Sequence, residues 1–269
     1  MTDTVTSSVA SWGPVRYVLC DLDGVVWLAR RAIPGAPEAI GRLRESGRRV
    51  LFVTNTSMSI MTAQEAALEA IGVPAAGDVV TSAQAGASLV AAGETVLVAG
   101  GAGLVEAVEA RGAIVVREGA ADAVVVGLHH DFDYWRLHAA SAAVRAGARF
   151  IATNDDPSFP TPDGPIPGAG AIVAAVATAA GVAPIIAGKP HPPMADLVAE
   201  RCGPGFRPAA AVVVGDRPST DGLFARTIGC PFAFVRSGVF APGATPDADL
   251  DPALDVADLA AVADRILQR

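Results

Sequence analysis

Apolar and polar positions along this chain follow a repeated grammar. Short apolar runs ("YVLC" at residues 17 to 20, "RVLFVT" at 49 to 54, "DVVTS" at 78 to 82, "AAVVVGD" at 210 to 216, "FAFV" at 232 to 235) alternate with segments of helical spacing. After the first run, Ala36, Ile40 and Leu43 share one helical face, Pro37 suits the opening turn and Gly47 ends the helix. Thr62 and Glu65 stand at capping-box spacing before "AALEAIG". A further helix spans Leu223 to Ile228, and a closing helix is expected from Val256 to Leu267 with Asp255 as its N-cap. Near-continuous apolar strands with helices between them predict a parallel sheet covered on both faces.

The middle of the chain starts the grammar again: "TVLVAG", a helix, "AIVV", "AVVVG", a helix from Tyr134, then "RFIATN". The proline- and glycine-dense "DDPSFPTPDGPIPGAG" that follows reads as a loop shaping a site. The expected organisation is α/β throughout: a Rossmann-like parallel-sheet core from residues 15–84 and 185–269, an inserted α/β cap at 85–184, and a loose Ser/Thr-rich tail at 1–14.

Composition narrows the function classes. A formal net charge of −8 argues against nucleic acid and anionic membrane as partners, and leaves room for a small anion at a locally positive place. Three widely spaced cysteines predict neither a disulfide framework nor a cysteine zinc site, and suit a reducing cytoplasm. The N-terminal stretch lacks the basic and apolar parts of a secretory signal, and the apolar segment at 170–181 is too short to span a bilayer. A cytoplasmic protein is expected.

The candidate chemistry sits at strand ends, where open α/β sheets bind ligands. Asp21 and Asp23 follow the first strand, Thr54 and Asn55 end the second, and Asp216 with Asp221 follows "VVVG". Lys189 lies in "AGKPHPP" after the apolar "PIIA". Like charges about 4 Å apart cost roughly 4 kcal/mol at an effective dielectric near 20, so converging acids call for a cation. Oxygen-only ligands suit Mg²⁺, and phosphate is a natural occupant of its open positions. One carboxylate is then free to attack phosphorus. A D-x-D pair alone is usually a solvated turn; order and placement together set this one apart.

"DLDGVVW", "FVTNTS", "AGKPHPPM" and "VVVGDRPSTDG" together resemble the haloacid dehalogenase superfamily of phosphohydrolases. "AIPGAPEAI", "TSAQA", "VVVGLHHDFDYWRL" and "FIATNDDPSFPTPDGPIPGAGAI" extend the resemblance to its NagD-like, 4-nitrophenylphosphatase-like branch. The resemblance implies Asp21 as nucleophile and Asp23 as general acid and base. It implies Mg²⁺ held by the carboxylates of Asp21 and Asp216 and the main-chain carbonyl of Asp23, with Asp221 behind them. Thr54, Asn55 and Lys189 would bind the phosphoryl group, and Gly24 would let the backbone curl around it. It also implies a small phosphorylated substrate and a homodimer formed through the cap. The chain departs from the family pattern at Ser219, where many relatives carry an extra acid, at Thr56 and at His129.

Other features have competing readings. Gly101-x-Gly103 after "VLVAG" mimics a dinucleotide fingerprint, but Glu106 stands where its third glycine belongs. His129, His130, Asp131 and Asp133 have ligand-type side chains but suit a polar loop better, and His191 fits either the site or a helix entry. Trp27 and Trp135 fit either substrate contact or packing. Three rivals to a phosphatase remain at this level. A dehalogenase would need neither Asp23 nor Asp216, a phosphotransferase would share every residue, and a non-catalytic phosphometabolite-binding protein would have no use for Asp23.

Overall fold

A computed structural model describes residues 13–161, 164–238 and 252–268; most of the expected tail at 1–14 lies outside them. The chain opens with β1 (Tyr17–Cys20), a small hairpin of β2 (Trp27–Leu28) and β3 (Arg31–Ala32), α1 (Ala36–Glu45), β4 (Arg49–Thr54), α2 (Met61–Glu69), β5 (Val79–Thr81) and α3 (Ser82–Ala87). A second series follows: β6 (Thr95–Ala99), α4 (Ala102–Ala110), β7 (Ile114–Val116), β8 (Ala123–Val126), α5 (Tyr134–Arg145), β9 (Arg149–Ala152), the hairpin β10 (Ser158–Thr161) and β11 (Gly164–Pro167), α6 (Ala169–Ala180) and β12 (Ile185–Ile186). The chain then returns with α7 (Pro192–Cys202), β13 (Ala211–Gly215), α8 (Leu223–Ile228), β14 (Phe232–Val235), β15 (Leu254–Val256) and α9 (Leu259–Leu267).

Two parallel sheets result. The first has the order β15-β14-β13-β1-β4-β5, so the strand order reverses between β1 and β13. The second has the order β12-β9-β8-β6-β7 and reverses between β6 and β8. Such reversals leave a crevice at the carboxyl ends of the strands. The α/β class and parallel core expected from the pattern are present.

Side-chain alternation divides each sheet's apolar residues between two cores. In the first sheet, Val18, Cys20, Val50, Phe52, Val212 and Val214 pack with α1 and α9, while Leu19, Leu51, Val53 and Val213 pack with Met194, Val198 and Phe224. The second sheet does the same, with Leu97, Val124 and Phe150 on one face and Val96, Val125 and Ile151 on the other. Each fully buried Leu, Val or Phe contributes about 1.5–3 kcal/mol, so a sheet covered on both faces holds its strand ends on a firm base.

Several local expectations fail for long-range reasons. Thr62 caps nothing, because α2 already begins at Met61 with extended Ile60 before it, and Glu65 accepts from Gly77 N at 3.0 Å instead. The capping box forms at Thr81 and Gln84, where "TSAQ" carries the same signature and opens α3. Asp255 lies inside β15 and pairs with Arg236 at 2.6 Å, while Asp258 caps α9 through Ala261 N at 2.9 Å. The proline-rich segment read as loop folds its middle into the β10–β11 hairpin. Ile185–Ile186, placed by its sequence position with the core, pairs with β9 in the second sheet.

Candidate active site

The strand ends of the first sheet deliver the acids. Asp21 follows β1 and is locked to the neighbouring strand by its N–H donating to Val214 O at 2.9 Å; Asp216 follows β13. The two therefore flank the point where the strand order reverses. After β13 a single wide turn over Pro218–Gly222 swings Asp221 back, so that oxygens of Asp21, Asp216 and Asp221 lie within 4.8 Å of one another. Asp216 and Asp221 are 1% exposed.

Lys189 reaches into this cluster from the loop after β12. Its Nζ donates to Asp21 Oδ1 at 2.7 Å and to Asp221 Oδ1 at 2.7 Å, with 3% of the side chain exposed. The second oxygen of Asp221 accepts from Arg217 N at 3.1 Å, so both of its oxygens are engaged. Burial pulls the Lys189 pKa down, but the carboxylates of Asp21 and Asp221 outweigh it and hold the ammonium protonated. Burial pushes the Asp21 carboxyl well up; Lys189 opposes this, while Asp221 and Asp216 add to it. Three carboxylates thus face one ammonium, and the excess of negative charge fits a bound cation with oxygen ligands.

Leu22 O accepts from the N–H groups of Val25, Val26 and Trp27, which turns the chain sharply after Asp21. Gly24 takes φ +86° in that turn and lies against the Asp216 carboxylate, where any Cβ would collide with it. The turn brings the Trp27 indole N–H to Asp23 Oδ1 at 3.0 Å, so Trp27 packs behind the site. Burial pushes the Asp23 carboxyl up, against the Trp27 hydrogen bond and the charges of Arg217, Lys189 and Arg30. A carboxyl so placed is suited to carrying a proton.

Thr54 ends β4 and lines the cleft, buried to 3% exposure, with its Oγ1 accepting from Thr56 N at 3.2 Å. The Asn55 side chain, expected on the phosphoryl oxygens, is committed elsewhere. Its Oδ1 accepts from Lys189 N at 2.8 Å and its Nδ2 donates to Lys189 O at 3.0 Å and Asp156 Oδ2 at 2.9 Å. It therefore pins the lysine loop.

The second unit closes the cleft with Leu128, Asn154, Asp156, Ser158 and Phe159. Asn154 donates to Asn55 O at 2.8 Å, and Ser82 donates to the same oxygen at 2.7 Å. Arg217, Asn154 and Asp156 were not singled out from the sequence. Arg217 and Asn154 carried the signal that exposed Thr54 and Asn55, polar residues just after an apolar strand, and Asp156 lies in the proline-rich loop expected to shape a site. Asp133 caps α5 through Arg136 N at 2.8 Å and Asp131 pairs with Arg136 at 2.5 Å, which leaves that histidine-rich loop a helix entry. His191 faces Asp155 at 3.4 Å, Ser219 is exposed, and Trp135 is 73% exposed on α5.

Fold and site together define a capped α/β protein whose carboxylates, lysine and strand-end threonine converge at the reversal of a parallel sheet. A family model of haloacid dehalogenase-like hydrolases matches residues 18–114, and a related HAD-hydrolase-like model matches 186–262. The chain is 42% identical to a D-glycerol 3-phosphate phosphatase of Mycobacterium tuberculosis over 82% of its own length and 63% of that protein. It is 36% identical to an acid sugar phosphatase of Staphylococcus saprophyticus, covering 82% of this chain and 86% of that one. A solved structure of a glycerol phosphate phosphatase from Mycobacterium tuberculosis in complex with magnesium superposes with a TM-score of 0.82 at 37% identity, covering 91% of this chain and 76% of that one. The chain belongs to the haloacid dehalogenase-like hydrolases, in their NagD-like branch of capped phosphatases.

Proposed function

We propose that the protein is a Mg²⁺-dependent phosphomonoesterase that works through an aspartyl-phosphate on Asp21. The observation that carries this reading is Lys189, shared at 2.7 Å between Asp21 and Asp221 in a buried cluster with a third acid. The carboxylates of Asp21 and Asp216 and the main-chain carbonyl of Asp23 would hold Mg²⁺, whose bound charge would offset that of the phosphoryl group. Asp221, with both oxygens engaged by Lys189 and Arg217, supports from behind.

Each protein group then has a task. An oxygen of Asp21 attacks phosphorus, the bond to the leaving oxygen breaks, and Asp23 passes its proton to that oxygen. Asp23, now a carboxylate, takes a proton from water as the water attacks phosphorus; the bond to Asp21 breaks and inorganic phosphate leaves. Thr54 donates to the phosphoryl oxygens, and Gly24 opens backbone space beside them. Lys189 steadies the charge gathering on Asp21 and phosphate, where most of the rate enhancement for phosphoryl transfer arises. The second unit keeps water away and reads the leaving group through the loop after β9.

The names of the relatives point to small polyol and sugar phosphates as substrates. The test is phosphate release from a panel of phosphomonoesters, glycerol 3-phosphate and sugar phosphates first, with Mg²⁺ or EDTA, for wild type and Asp21→Asn. Turnover that needs Mg²⁺ and vanishes in Asp21→Asn supports the reading; phosphate appearing only on an added acceptor would make the protein a phosphotransferase. Among the described residues no helix is long and apolar enough to cross a membrane. A cytoplasmic homodimer paired through the exposed Tyr134 and Trp135 of α5 completes the proposal, and light scattering checks it.

A further inference from the structure

The Gly101-x-Gly103 pattern sits where a parallel sheet of this order receives a ligand. After β6, Gly101 is the N-cap of α4 and Gly103 lies in its first turn, the loop after β8 holds Gly127 and Leu128, and the strand order reverses between these two strands. That crevice is filled by the first unit's own chain. Met58 and Ser59 lie directly on the two glycines, so that a Cβ on Gly101 would stand 2.7 Å from Met58 Cγ and one on Gly103 would stand 2.6 Å from the Ser59 carbonyl carbon. Gly103 N donates to Met58 O at 2.9 Å, and Leu128 N donates to Ser57 Oγ at 3.2 Å. The glycines are there for a passing backbone.

Glu106 completes the contact. Helix α2 has the apolar Ile60 at its N-cap, no side-chain cap of its own and no acid in its first turn. Its first N–H, that of Met61, donates to Glu106 Oε2 of α4 at 2.7 Å. A carboxylate there satisfies an orphan N–H and complements the positive end of the helix. The segment so held, 55–61, begins one residue after Thr54 and includes Asn55, which pins the Lys189 loop.

We infer that Glu106 is a positioning residue: by capping α2 from the other unit it seats residues 57–59 in the second sheet's crevice and thereby sets Thr54 for the phosphoryl group and Asn55 for the Lys189 loop. The inference rests on the phosphatase reading for its kinetic consequence only. Glu106→Gln keeps an acceptor for Met61 N, and Glu106→Ala removes it. Asp258→Ala removes the corresponding cap from α9, which holds none of the residues assigned to the site, and so controls for loss of a helix cap as such.

The experiment measures kcat and KM with 4-nitrophenyl phosphate well below each variant's melting temperature, and amide hydrogen exchange of the peptide covering residues 55–64. Glu106→Ala is expected to lower kcat about ten- to a hundredfold, as small misplacements of reacting groups do, and to speed exchange in that peptide. Glu106→Gln should stay within about threefold of wild type, and Asp258→Ala should leave both readouts unchanged. Unaltered kcat in Glu106→Ala, or an equal loss in Asp258→Ala, overturns the inference. If wild type releases no phosphate from any ester, the phosphatase reading has failed; unchanged exchange in Glu106→Ala would separately refute the latch.

Discussion

Lys189 Nζ lies 2.7 Å from Asp21 Oδ1, although the two residues are 168 positions apart in the chain. Lys189 is buried, and the pair places a fixed positive charge beside the carboxylate proposed to attack phosphorus. Lys189→Met should therefore lower kcat by about 10²–10³-fold, the usual loss for one charge-stabilising donor in a closed site. It should also destabilise the fold, because removing one partner of a buried pair costs about 3–5 kcal/mol. Steady-state kinetics and urea unfolding check the two effects separately.

Asn55 should show its role in the same two assays. Asn55→Ala leaves the Lys189 main chain and the Asp156 carboxylate without their shared partner, at a cost of about 1–3 kcal/mol per buried group. The expected signature is a fall in kcat with KM for 4-nitrophenyl phosphate little changed. A rise in KM alone would place Asn55 on the substrate instead.

Metal binding should register as stability. At a Mg²⁺ concentration about 100 times Kd, wild type should gain about 2.7 kcal/mol against unfolding, and EDTA should remove it. In Asp216→Asn one acid of the cluster is neutral, so the Mg²⁺-dependent rise in melting temperature should shrink sharply. An undiminished rise in that variant would place the metal elsewhere.

Cys202 and Cys230 give a pH test away from the proposed metal. Burial pushes the Cys202 thiol up to about 11 and Cys230 up to about 12, and drives Cys20 well up as well. A folded pKa above the unfolded one favours the fold fully below the unfolded value, near 9, and that contribution is lost as pH rises through about 11 to 12. At pH 8 the native protein should react slowly with a thiol-exchange reagent, while the urea-unfolded chain should release 3 equivalents at once. Rapid native reaction of one equivalent would show that a thiol is ionised in the fold.

Near-continuous apolar runs were enough to read most strands of both sheets, though not β15, since each of "VLC", "VLFV" and "AVVV" has to divide its side chains between two cores. The acids at Asp21, Asp23, Asp216 and Asp221 were legible for a similar reason: charged groups directly after a buried strand need a purpose. What the sequence left open was every decision taken by a distant partner. Thr62 and Glu65 have the right spacing for a cap, yet α2 is closed by Glu106, 45 residues away. Asp255 precedes an apolar helix as an N-cap should, yet Arg236 and the edge of the first sheet claim it. Asn55 directly follows a strand and lines the cleft, but two hydrogen bonds to the Lys189 main chain turn its amide aside. Gly101-x-Gly103 announces a close approach of something to the backbone, and only the packing of the two units shows that it is Met58 and Ser59. Periodicity and strand-end chemistry are properties of a few adjacent residues, so the sequence alone determined the α/β grammar and the acids. Caps, hydrogen-bond partners and crevice occupants depend on which segments meet in space, and the tertiary structure decided them.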